Sequence, residues 1–155
     1  MKTFAAHGEF TIRSCGRVVR VDARGPWNSE CTIDYVRELR ACMEDIPTPF
    51  GVLMVSHEQP ILGPEGEEIL RLSVRERVSF GCAAQATVLL ERSTAAIALA
   101  QYQRVYVPER LQHAIFPAIA PATRWLIDHG FTDVKDLCRP EEIARGAEIA
   151  VAQRA

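Results

Sequence analysis

Four histidines, five cysteines and one short polar run, Ser56-His57-Glu58-Gln59, are the first places to look for chemistry in this chain of 155 residues. His7, His57, His113 and His129 never fall three or four residues apart, so a two-histidine helical metal site is not encoded. His57 and Glu58 could work as a general acid and base only if the fold brought a nucleophile to them. Adjacent residues at a strand end point to opposite faces, which counts against their acting together. Cys15, Cys31, Cys42, Cys82 and Cys138 are odd in number, widely spaced and without a CxxC pair. They read as reduced thiols serving as small buried hydrophobes. The GPEG run at Gly63 to Gly66 lacks the spacing and the lysine of a phosphate-cradling loop, and no G-x-S-x-G elbow or dinucleotide fingerprint occurs. The expectation is a protein that is not an enzyme and uses no cofactor or metal, with an enzyme built on His57 and Glu58 as an alternative.

The polar run sits at the end of Gly51 to Val55, a continuous apolar stretch of the kind buried on both faces of a sheet. Ligands and partners of open α/β sheets are usually met outside the carboxyl ends of such strands. Gly63 and Pro64 then form a helix cap and first helical residue, with Glu65, Glu67 and Glu68 complementing the helix dipole in the first turn. The spacing predicts Ile69, Leu70, Val74 and Val78 as the inner stripe, with Glu67 and Arg71 paired on the outside. Ala86 to Leu90 is a second apolar strand ending in Glu91, Arg92, Ser93 and Thr94, and one of the last two caps a helix running to about Tyr102.

Upstream, Phe10 to Cys15 and Val18 to Ala23 flank Gly16-Arg17 and predict a hairpin whose first strand is a sheet edge. Val19, Val21 and Ala23 alternate with Arg20 and Asp22, as in a strand with one wetter face. Trp27 precedes Asn28 and Ser29, either of which can cap a helix with Ile33, Val36, Leu39, Met43 and Ile46 turned inward, ended by Pro47 and Pro49. Downstream, the pattern predicts a short edge strand over His113–Phe116 and a helix carrying Ile119, Ala122, Trp125 and Leu126. Gly130-Phe131 stops that helix. Thr132 to Cys138 reads as a turn or short helix, and Pro140 to Gln153 as a last helix.

Composition places the chain in one domain: 48% of residues are hydrophobic and 25% charged. A net charge of −2 supplies no global positive field for nucleic acid or an anionic membrane. The N-terminus has no apolar h-region, and no apolar run approaches the roughly 20 residues of a membrane span, so a cytoplasmic location is expected. The fold class predicted is α/β: a single mixed β-sheet, N-terminal hairpin plus parallel strands, with helices packed on it.

The succession GPWNSECTIDYVRELR, PFGVLMVSHEQPILGPEGEEIL, VSFGCAAQATVLL and FPAIAPATRWLIDHGF resembles the bacterial SpoIIAA-like proteins of the STAS/CRAL-TRIO-related superfamily. It spans roughly Phe10 to Phe131, with anchors at Trp27, Pro64, Gly81, Phe116, Ala122, Trp125, Leu126 and Gly130. It implies a STAS-like domain over 1–131 with 132–155 as its helical extension, no fixed enzymatic activity, and a role in protein partnering or in binding an apolar ligand near membranes. Anti-sigma-factor antagonists of this fold carry a phosphorylatable serine in a D-S-[ST]-G-like turn. Here Ser56 lacks the neighbouring Asp and Gly, and Glu58 would repel a phosphate. The candidate recognition residues are Trp27, Ser56, His57, Glu58, Ser93, Thr94, Tyr102 and Tyr106. Two expectations follow: a regulatory module binding a protein partner or forming a homodimer through the hairpin edge, Trp27 and the helix after Gly63; or a peripheral binder of an apolar ligand or lipid, in which the loop from Tyr102 to Phe116 opens a cleft.

Overall fold

Alternating residues on either side of a two-residue loop build the hairpin. Strands β1 (Glu9–Cys15) and β2 (Val18–Arg24) pair antiparallel, with Cys15 opposite Val18, in a computed structural model that describes residues 5–58 and 61–144. Gly16, at φ 53°, takes the left-handed conformation that lets so short a loop match the strand twist. The chain continues through α1 (Ser29–Met43), β3 (Phe50–Glu58), α2 (Pro64–Ser79), β4 (Cys82–Leu89), α3 (Ala95–Tyr106), a 3-10 turn (Val107–Glu109), β5 (Gln112–Phe116), α4 (Ile119–Asp128) and a 3-10 helix (Thr132–Leu137).

Strand order in the sheet is chain order, β1 to β5, and every pairing from β2 onward is parallel. The predicted α/β class with one mixed sheet is therefore the architecture found. Because the order never reverses, the crossover helices α1, α2 and α3 share one face, where they cover Val19, Val21, Val52, Met54 and Leu89. Helix α4 and the 3-10 helix cover the other, over Val18, Leu53, Val55, Ala86 and Val88. Among the described residues the free edges are β1 and β5, as the pattern predicts.

Local punctuation is where the sequence signals place it. Asn28 caps α1, its Oδ1 accepting the Cys31 N–H at 3.0 Å. Gly63 and Pro64 start α2. Phe131 N–H reaches back to the Leu126 carbonyl and Gly130 N–H to that of Ile127, the paired bonds of a Schellman stop, with Gly130 at φ 92°.

Helix faces differ from expectation where polar groups find partners inside. Ile33 is 40% exposed while Tyr35 is fully buried, since the Tyr35 ring packs on Phe10 and Trp27 and carries more apolar surface inward. Val78 is 37% exposed while Arg77 is fully buried, because Gln85 and Tyr35 offer the guanidinium acceptors beneath α2. Glu67 pairs with Arg104 of α3 rather than with Arg71, which binds Glu68 and Glu109. The supposed wetter face of β2 is covered: Arg20 is 2% exposed beneath the 3-10 helix and the segment after it. Helix α3 runs to Tyr106, one turn further than its pattern suggests. Of the C-terminal helix expected over Pro140–Gln153, residues 140–144 are helical and the rest lie outside the described residues, as does Gln59.

Candidate functional site

The carboxyl end of β3 sends successive side chains to opposite faces, and each face holds a different constellation. On the helix side, Ser56 is 2% exposed and its Oγ lies 3.3 Å from the Tyr102 hydroxyl. Trp27, Ser56, Glu58 and Tyr102 line one small cavity with Leu62 and Leu70. Its volume is about 30 Å³, too small for a ligand beyond ordered water. Gln101 closes the loop above by accepting from Leu62 N–H at 3.0 Å and donating to its carbonyl at 2.6 Å. The Trp27 indole N–H donates to the Glu9 carbonyl at 3.1 Å, so the tryptophan ties the start of α1 to the start of β1. Four of the eight candidate residues are thus brought together.

His57 goes to the opposite face. Its Nε2 lies 2.7 Å from Asp22 Oδ1. Asp22 in turn accepts two bonds from Arg20, each 2.9 Å. Arg20 also donates to both carboxylate oxygens of Glu142, at 3.0 and 2.8 Å, and to the Leu137 carbonyl at 2.9 Å. Burial works against the Asp22 carboxylate, but hydrogen bonds from His57 and Arg20 outweigh it and hold the group well below the usual range. His57 and Glu58 do not meet; Glu58 pairs instead with Arg24 at 3.3 Å. Neither Arg20, Asp22 nor Glu142 was a candidate from sequence. Arg20 and Asp22 did share a strand face at i, i+2, whereas nothing local marks Glu142.

Tyr106 lies deeper, in a buried polar cluster under α2 and α3. Arg77 donates to Gln85 Oε1 and, at 3.2 Å, to the Tyr35 hydroxyl. Gln85 Nε2 donates to the Tyr106 hydroxyl at 2.7 Å and to Thr87 at 3.2 Å, and Thr87 reaches His113 Nε2 at 2.9 Å. Burial pushes the Tyr35 phenol up to about 12, against the pull of the Arg77 charge. Ser93 and Thr94 stand apart at the β4–α3 connection, with Ser93 donating to Glu91 at 2.8 Å and Thr94 at the cap position of α3.

An open groove runs past the outermost strand. On one side it is walled by Phe10 and by Asp34, Arg37 and Glu38 of α1; on the other by Thr11, Arg13, Asp22, His57 and Arg139. A concavity lined from both faces of β1 follows the free edge of that strand. A two-residue hairpin loop closes on a hydrogen-bonded pair, here Cys15 and Val18, and alternation along the strand then turns the backbone groups of Ser14, Ile12 and Phe10 toward that edge.

Among the described residues no group of three or more His, Cys, Asp or Glu is placed to hold a metal, and no helix is long and apolar enough to cross a membrane. No family model, curated protein or solved structure matches the chain.

Proposed function

We propose that this chain is a non-enzymatic binding module that takes up an extended segment of a protein partner along the free edge of β1. The observation that carries this reading is the groove lined from both faces of that strand, with α1 as one wall and the Arg13–His57 surface as the other. Strand addition draws affinity from main-chain hydrogen bonds and specificity from pockets for alternate side chains. The β1 edge offers both: the outward-turned backbone groups of Phe10, Ile12 and Ser14, and two chemically different walls. On its charged side, the Arg20–Asp22–Glu142 network holds Asp22 in place. The resemblance to SpoIIAA-like proteins agrees with a partnering role. Ser56 faces inward onto Tyr102, which favours recognition by the edge over a phosphorylation switch in the β3–α2 loop.

The test is a displayed library of extended peptides panned against the chain, with binders measured on Ile12→Pro and on Ile12→Val. Proline removes an N–H that faces the free edge and is tolerated on edge strands; valine keeps it. Binding that falls about tenfold or more in the proline variant alone, with Phe10, Ile12 and Ser14 amides protected from exchange in the complex, is the expected result. Equal binding by the proline variant would overturn the reading.

A further inference from the structure

We infer that the partner strand is β1 of a second copy of this chain, added antiparallel about a two-fold axis through Thr11. This rests on the edge-binding reading above and specifies its occupant. The outward-turned backbone groups of Phe10, Ile12 and Ser14 can bond only to one another across such an axis, which restricts the permitted registers to alternate ones. Among these, centring on Thr11 sets Glu9 opposite Arg13 of the second copy and Arg13 opposite its Glu9. On the other face it sets Phe10 opposite Ile12 of the second copy. A centre on Ile12 instead would place Arg13 against Thr11 and Glu9 against Cys15, leaving both charges without a counterpart. The strand is therefore complementary to itself in charge, apolar surface and backbone bonding in one register, which is what an isologous interface requires.

Both charged groups are available for it. Glu9 is exposed and enters none of the ion pairs among the described residues. Arg13 is 53% exposed, and its contacts within the chain are long, 3.6 Å to Asp22 and 3.4 Å to the Leu137 carbonyl. The α1 wall carries both signs, Asp34 and Glu38 beside Arg37. The other free edge, β5, is Gln-His-Ala-Ile-Phe and offers no acid and base to select a register.

Sedimentation equilibrium of the full chain, with Glu9→Arg, Arg13→Glu and the double exchange, tests the register directly. Each single change turns both symmetry-related pairs from attraction to repulsion, and the dimer is expected to weaken about tenfold or more. The double exchange restores opposite charges across the axis and recovers most of the loss. A chain that stays monomeric at about 100 μM, or a dimer indifferent to the single changes, overturns the inference. A monomer that still binds displayed strands, with binding lost in Ile12→Pro, removes the second copy while keeping the edge reading. Failure of both assays removes both.

Discussion

His113 should make the protein lose stability in mild acid, well before its carboxylates titrate. The ring sits on β5, stacked on Tyr106 at 4.1 Å between ring centres, with Thr87 of β4 on its Nε2 and the Arg77 charge of α2 nearby. Burial, and then the Arg77 charge, lower its pKa from 6.5 to about 4. Between those values the unfolded chain binds a proton that the folded one refuses, so stability rises with pH across the interval. The contribution is fully present above the unfolded value and is lost as pH falls through the folded one. At 1.36 kcal/mol per pH unit, the difference corresponds to about 3 kcal/mol. His113→Phe keeps the stack on Tyr106 and removes the titration, while Thr87 keeps its bond from Gln85. Urea unfolding at steps from about pH 7 to about pH 4 should show the parent losing about 3 kcal/mol more than the variant. Parallel stability curves for the two proteins, or an imidazole resonance of the folded protein titrating near its ordinary value, would refute the reasoning.

Three further outcomes follow from the packing. Arg20→Met leaves the carboxylates of Asp22 and Glu142, 17% and 11% exposed, facing one another without their shared cation. The expected loss is about 3 kcal/mol in guanidinium unfolding near neutral pH, and a loss below about 1 kcal/mol would count against the network. Asp22 and Glu142 have lowered pKa values, so the stability they supply is present above about pH 4 and lost below it. Asp22→Asn should flatten that acid limb in a pH series monitored by circular dichroism. Gly51→Ala would bring a Cβ to 2.9 Å from the buried Phe131 ring and should destabilise by about 1–3 kcal/mol. Adding Phe131→Leu should return part of the loss, and an unaffected melting curve for the single variant would show that the ring can move aside.

Features set by neighbouring residues were legible in the sequence. The Gly16-Arg17 loop, the Asn28 cap, the Gly63-Pro64 start and the Gly130-Phe131 stop each rest on chemistry within a few positions, and each is in place. The strand-end rule pointed to Ser56 and Glu58, and the structure places Trp27 and Tyr102, singled out for other reasons, in the same cavity lining. Arg20 and Arg77 could not be placed inside from their own surroundings. An arginine is buried only when acceptors arrive to meet it, and beside Asp22, two residues on, those of Arg20 come from Leu137 and Glu142, 117 and 122 positions away. With Arg77 inside, α2 turns Val78 outward, so a polar contact reset the face that apolar periodicity alone would choose. The charged wall of the β1 groove was missed for the same reason, since its floor is assembled from both ends of the chain.

The unreversed strand order has a consequence for how cooperativity is distributed. Each βα unit lies beside the one made just before it, so coupling passes from neighbour to neighbour along the sheet, much as in a stack of repeats. Exceptions include the long-range ties from the 3-10 helix and the residues after it back to β1 and β2, through Asp133, Leu137 and Glu142. These ties fasten the late chain to its beginning and bypass β4 and β5. The sheet is thereby clamped at the β1–β2 end, while at the other end β5 is paired with β4 alone among the strands.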